Sequence, residues 1–219
     1  MRKAILLDID GTLVDSNDLH AEAWVHALKD FGFDVPFSRV RPLIGMGGDK
    51  VLPELTGLEK ESPKGKELSD HRQTLFLSQY VDRVQALPGA RGLVERILDA
   101  GHQPVVATSA NARELERLLQ RGNLTDLLTM RTTSDDAEQS KPEPDIVRAA
   151  LALAGVSPRE ALMVGDTPYD LQAAARAHVG FVGLRSGGYD DHTLRGALAI
   201  YAHPAELCAH FNESPLAAR

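Results

Sequence analysis

Cysteine is almost missing from this chain: Cys208 is the only one among 219 residues. A single thiol cannot close an intrachain disulfide, which excludes a disulfide-stapled secreted scaffold and makes the cytosol the expected home. Long apolar runs are missing too. None approaches the ~20 residues that cross a bilayer. Only Ala4-Ile5-Leu6-Leu7 separate the basic pair Arg2-Lys3 from Asp8, too short a run for a signal peptide. Nor is there a block of positive charge. With 24 Lys and Arg against 31 Asp and Glu, the formal net charge is -7. Nucleic acid and anionic membrane are therefore excluded as expected partners. There is no internal repeat and no low-complexity segment. The length allows one large domain, or one domain with a modest insertion, and a sizeable core.

What is present is an alternation of short apolar strands with helical patterns, which predicts a doubly wound parallel α/β sheet. Strands are expected over 4–9, 104–108, 127–131, 161–165 and 181–184, with a short sixth over 199–202. Helices are expected over 89–100, 112–121, 144–154 and 171–177. The stretch 15–82 breaks the alternation and reads as helices only, starting with Leu19, Ala23, Trp24, Ala27, Leu28 and Phe31 at helical spacing. Residues 189–219 carry no recognisable chemistry, and the last few are expected to be disordered.

Asp8-Ile9-Asp10-Gly11-Thr12 follows the first strand directly. Side chains two apart in an extended segment point the same way, so Asp8 and Asp10 face one site, and Gly11 supplies the turn. Two carboxylates forced together need a cation, a proton or both. Three further polar stops fall at or just past later strands: Thr108-Ser109, Ser140-Lys141-Pro142, and Gly165-Asp166 with Asp170. In an open parallel sheet, ligands bind beyond the carboxyl ends of the strands. Taken singly, each stop has a plain structural reading: an Asp-Gly turn, a strand-ending Thr, a solvated Lys, an Asp capping a helix that starts at Leu171.

Taken in order, the four resemble the motifs of the haloacid dehalogenase-like hydrolases, a superfamily dominated by aspartate-nucleophile phosphatases. The likeness runs from the first residues to about Arg185. It implies Asp8 as nucleophile, Asp10 as acid and base, Thr108 with Ser109 and Gly11 around the phosphate, and Lys141 as counter-charge. It further implies Mg²⁺ held by Asp8, Asp10 (through its backbone carbonyl), Asp166 and Asp170. An all-oxygen set of that kind suits Mg²⁺, which favours one or two carboxylates plus water and phosphate. The helical stretch resembles the cap that some members insert after the first strand, giving a core of 1–14 and 87–219 and a cap of 15–86.

Within the expected cap, Val14-Asp15-Ser16, His20, Ala23 and Trp24 resemble β-phosphoglucomutase and related sugar-phosphate phosphatases. His20 and Trp24 lie one helical turn apart; core packing is the expectation for Trp24, and His20 is left open between core and site. The run from Leu43 to Lys50 is a Gly-rich turn opening a helix, so the Gly47 amide is an expected anion contact, with Lys50 as a supplementary cation. Gly48 stands where the mutase pattern has Arg. The expectation is therefore an Mg²⁺-dependent phosphatase of a small phosphorylated metabolite, a sugar phosphate or phosphoglycolate, acting as monomer or homodimer. Alternatives are a phosphosugar mutase, a carbon–phosphorus hydrolase resembling phosphonoacetaldehyde hydrolase, and a degenerate binding protein.

Overall fold

The computed structural model describes residues 4–217. After β1 (Ala4–Leu7) a tight turn leads into β2 (Val14–Asp15). A helical segment follows, made of α1 (Asn17–Asp30), α2 (Phe37–Val40), α3 (Gly48–Thr56), α4 (Pro63–Leu75) and one π-helical turn (Phe76–Tyr80). It closes with β3 (Gln85–Ala86), which pairs antiparallel with β2, so a two-stranded ribbon joins both ends of the insertion. The remainder is α5 (Ala90–Asp99), β4 (Gln103–Ala107), α6 (Ala112–Arg121), β5 (Arg131–Thr132), α7 (Asp145–Ala154), β6 (Ala161–Gly165), α8 (Pro168–Arg176), β7 (Gly180–Leu184), β8 (Ala199–Tyr201) and α9 (Pro204–Ala209).

The main sheet is parallel throughout, in the order β5-β4-β1-β6-β7-β8. The chain winds outward from β1 to one side, then restarts at β6 on the other. That reversal opens a crevice beyond the carboxyl ends of β1 and β6. Strand alternation explains the two cores. Ile5 and Leu7 join Val106, Val164 and Val182 on one face, under α5, α6 and α9. Ala4 and Leu6 join Val105, Met163 and Phe181 on the other, under α7 and α8. The insertion has a third cluster of its own around Trp24, Leu28, Leu52 and Leu68.

Three expectations shift. The strand expected over 127–131 is instead β5 at Arg131–Thr132, because Leu124 and Leu128 sit four apart in a helical turn and bury their side chains from there. Helix α8 begins at Pro168 rather than Leu171, because Thr167 caps it. Pro144 is likewise the cap residue before α7 and not its first helical position. The C-terminal tail is ordered over most of its length, with Leu207, Phe211 and Leu216 buried in the first core. The end of the expected disorder, Ala218 and Arg219, lies outside the described residues.

Among the described residues, no helix is long and apolar enough to cross a membrane.

Candidate active site

The crevice gathers one cation and three carboxylates, all buried. Lys141 Nζ lies 2.6 Å from Asp8 Oδ1 and 2.8 Å from Asp170 Oδ1, and its side chain is 1 % exposed. Asp8, Asp166 and Asp170 each present an oxygen within 4.8 Å of the others. Asp8 extends β1, its amide bonded to Val164 O at 3.0 Å on β6. Asp166 follows β6 and is held on both oxygens, by Thr12 Oγ1 at 2.8 Å and Asn17 Nδ2 at 2.9 Å.

Asp170, expected either to serve the metal or to cap the helix, is not the N-cap residue, which is Thr167. It is the third residue of α8, and its Oδ2 accepts from the Thr167 amide and hydroxyl while the Thr167 hydroxyl accepts from its own amide. This capping box leaves Oδ1 turned to Lys141, so the residue closes the helix end and serves the cluster together.

Charge in this cluster does not balance. Burial, the larger cause, together with repulsion from Asp170, Asp166 and Asp10, pushes the Asp8 carboxyl well above its ordinary range despite Lys141. Burial and Asp170 push Asp166 up to about 7, against the hydrogen bonds from Thr12 and Asn17. Burial works against the ammonium of Lys141, yet Asp170 and Asp8 outweigh it and hold its pKa above normal. Three buried acids facing one base, with oxygen donors only, fit a hard divalent cation.

A pH dependence follows. In the metal-free protein Asp166 and Asp8 bind protons more tightly when folded than when unfolded, so both contribute stability at acid pH, and that of Asp166 is lost as pH rises through about 7. Melting temperature in chelator should fall between pH 5 and pH 8, with a shallower slope in Asp166→Asn. A flat profile, or one unchanged by the substitution, contradicts the shift.

Gly11, expected around the phosphate, is not among the residues that line the cavity. Its φ of +72° makes the turn, and a Cβ there would overlap the Asn17 amide and the Asp166 carboxylate. Gly11→Ala should cost about 1–2 kcal/mol from the left-handed backbone alone, plus displacement of Asp166. Thermal unfolding and Mg²⁺ affinity should drop together.

Asp10 does not join the acidic triad by its side chain. Its Oδ1 accepts from Ser16 Oγ at 2.5 Å and pairs with His20 Nε2 at 2.8 Å. On the other side of the ring, His20 Nδ1 meets Arg72 Nη2, and Arg72 Nη1 donates to Glu114 Oε1 at 2.5 Å. A guanidinium only donates, so Nδ1 accepts and Nε2 carries the proton given to Asp10. Burial alone would raise Asp10, but His20, Ser16 and Arg72 outweigh it and hold the carboxyl below its ordinary value. His20 is buried, stacked on Phe76 with ring centroids 3.9 Å apart, so it is both packed and at the site. Trp24 is likewise buried in the insertion's core while lining the cavity.

A cavity of about 520 Å³ opens over Asp8 and Asp10, between the insertion and the sheet. Thr108 and Ser109 line it; Thr108 Oγ1 accepts from the Ala110 amide at 3.1 Å, and Ser109 Oγ is buried with no hydrogen bond. Two expected cap contacts are occupied elsewhere. Gly47 lines the cavity, but its amide donates to Ser140 Oγ at 3.0 Å. Lys50 lies outside the wall, its Nζ donating to Gln139 Oε1 at 2.9 Å. The Gly-rich loop therefore fastens the insertion to the Lys141 loop, with Asp49 Oδ2 accepting from the Ser140 amide.

Sequence reasoning missed Asn17, Arg72 and Glu114. Asn17 only follows the quoted motif. Glu114 looks like an ordinary first-turn acid of α6, where the Asn111 side chain accepts from its amide. Arg72 is one basic residue on a polar helix, and only the tertiary fold puts it on His20.

The chain belongs to the haloacid dehalogenase-like hydrolase family, whose model matches residues 5–184. A pyrophosphatase PpaX of Bacillus velezensis is 28% identical over 202 residues, covering 91% of this chain and 88% of that protein. A phosphoglycolate phosphatase of Pseudomonas putida is 27% identical over 190 residues, covering 84% and 70% respectively. The crystal structure of a hydrolase from Pseudomonas syringae superposes with a TM-score of 0.89 at 31% identity, covering 97% of this chain and 99% of that one.

Proposed function

We propose that the protein is an Mg²⁺-dependent phosphatase that hydrolyses a small phosphorylated metabolite in the cytosol through an aspartyl-phosphate on Asp8. The observation that carries this reading is the buried Lys141–Asp8–Asp170 arrangement, with Asp166 beside it, whose Asp8 lines a cavity that Thr108 and Asp10 also line. Relatives named pyrophosphatase and phosphoglycolate phosphatase act in the same reaction class.

In this reading residues 15–86 form a cap whose ribbon, β2 with β3, is the hinge, and closure excludes water. Asp8 attacks phosphorus, and Lys141 balances the carboxylate and the incoming charge. The Thr108 hydroxyl and the buried Ser109 hydroxyl bind non-bridging oxygens. Asp10 gives its proton to the leaving oxygen, then takes one from the water that hydrolyses the acyl phosphate. Its neighbours favour the carboxylate needed in the second step. A phosphate dianion beside it shifts Asp10 toward the acid needed in the first. Asp8, Asp166 and Asp170 would hold Mg²⁺, which supplies positive charge to offset that of the phosphate. The mutase and carbon–phosphorus readings lose ground because Lys50 and the Gly47 amide are spent on the Lys141 loop.

Phosphate release from phenyl phosphate, with Mg²⁺ and with chelator, tests the reading. Release that needs the metal is expected. Its absence here and from a panel of phosphate esters would falsify the assignment.

A further inference from the structure

The insertion is fastened to the α/β part of the chain by contacts of two kinds. Arg72 on Glu114, and Gly47 with Asp49 on Ser140, involve residues of the cavity wall, so a change in them alters the site itself. The second kind stands apart from the cavity. After α2 the chain makes one 3₁₀ turn, Arg41–Leu43, and the carbonyl of its exposed Pro42 meets two phenols from across the interface. Tyr169 of α8 donates to Pro42 O at 2.8 Å, and Tyr189, past β7, donates to the same oxygen at 2.9 Å. A carbonyl oxygen has two lone pairs, and both are taken here. Arg41 returns the contact. Its Nη2 donates to Gly187 O at 2.8 Å, while its Nε is held within the insertion by Asp18 at 2.5 Å. None of Arg41, Pro42, Tyr169, Gly187 and Tyr189 lines the cavity.

Both halves of this clasp connect to the site without entering it. A Cβ at Gly187 would overlap the Asp166 carboxylate, and Ser186 Oγ donates to Gly11 O at 2.6 Å. The loop that carries Gly187 and Tyr189 therefore rests on the acidic cluster. On the other side, Pro42 stands two residues before Ile44, where the chain joins the cavity wall and stays in it through Asp49. The far end of that run is already pinned to Ser140, so the clasp fixes its near end. Hydrogen bonds between a hinged body and its base exist only while the two are closed, so they favour the closed form alone. A neutral phenol-to-carbonyl bond is modest in net strength, so the clasp biases closure and still lets go.

We infer that Tyr169 and Tyr189 are positioning residues: they clasp the Pro42 carbonyl, hold the insertion closed, and set segment 44–49 against the cavity without touching the substrate. The effect on turnover rests on the phosphatase reading above; the effect on closure does not.

Tyr169→Phe, Tyr189→Phe and the double variant keep each ring and remove only the hydroxyl. Trp24, the only tryptophan, lines the cavity at 4% exposure, so quenching of its fluorescence by acrylamide reports opening without turnover. Each hydroxyl lost should lower the ratio of closed to open forms by about threefold to tenfold. In the metal-free, ligand-free protein, quenching should therefore rise in each single variant and most in the double. With Mg²⁺ and phenyl phosphate, kcat/KM should fall in step. The fall should be carried by KM, with kcat unchanged or raised, because opening for product release becomes easier. Quenching and KM both unchanged in the double variant overturn the inference. So does a fall in kcat with quenching unchanged, which would mean that the phenols only pack around Asp170. Raised quenching with kcat/KM unaltered upholds the clasp and overturns its part in turnover. Raised quenching in the variants of a protein whose wild type releases no phosphate upholds the clasp and overturns the phosphatase reading.

Discussion

Asp8→Asn should abolish phosphate release while leaving the metal-free protein at least as stable as before. An amide of the same shape cannot attack phosphorus, and loss of a covalent nucleophile costs about 10⁴-fold or more in kcat. Stability should not follow. Burial and three neighbouring carboxylates already push the Asp8 carboxyl up, so replacing it with a neutral group removes like-charge repulsion. Lys141 keeps Asp170 at 2.8 Å as a partner. The two readouts are kcat for phenyl phosphate and melting temperature in chelator. Mg²⁺ affinity should weaken, because two carboxylates of the triad remain where there were three. Residual activity within a hundredfold of wild type would mean that water, or another side chain, attacks the ester directly.

The sheet and the floor of the site were legible in the sequence because both obey local rules. Strand β6 falls at Ala161–Gly165 as expected, since a run buried on both faces is apolar throughout. Asp8, Thr108 and Asp166 each stand just past a strand end, where a parallel sheet binds its ligands, and Lys141 lies in the loop between β5 and α7; their motifs come in that order. Asp170 was legible as a polar residue near α8, but its double duty was not, because the box with Thr167 begins the helix three residues early. The cavity's far side was opaque. Gly47 and Lys50 carry the composition of an anion loop, yet their bonds go to Ser140 and Gln139, more than eighty residues away in sequence. Arg72 and Glu114 meet across 42 residues with no motif around either. Local propensity fixes elements and strand ends; contacts between the insertion and the sheet depend on tertiary docking, which leaves no periodic trace.

Lys141→Met should cost both turnover and stability, and the metal should separate the two effects. The substitution keeps length and apolar volume, so packing of the stem changes little. It leaves Asp8 and Asp170 buried without their cation, and removing one partner of a buried ion pair typically costs about 3–5 kcal/mol. For a chain of this size that is a fall of roughly 10 °C in melting temperature. Loss of the counter-charge for nucleophile and phosphate should lower kcat by about 10²–10³-fold. If the loss is electrostatic, Mg²⁺ should restore more stability to the variant than it adds to the wild type, because a divalent ion then faces three acids with no competing ammonium. A packing defect makes the opposite forecast: the drop in melting temperature would be the same with and without Mg²⁺. Melts of both proteins across a Mg²⁺ titration distinguish these outcomes, and an equal metal response in the two would mean that Lys141 does not share its carboxylates with the cation.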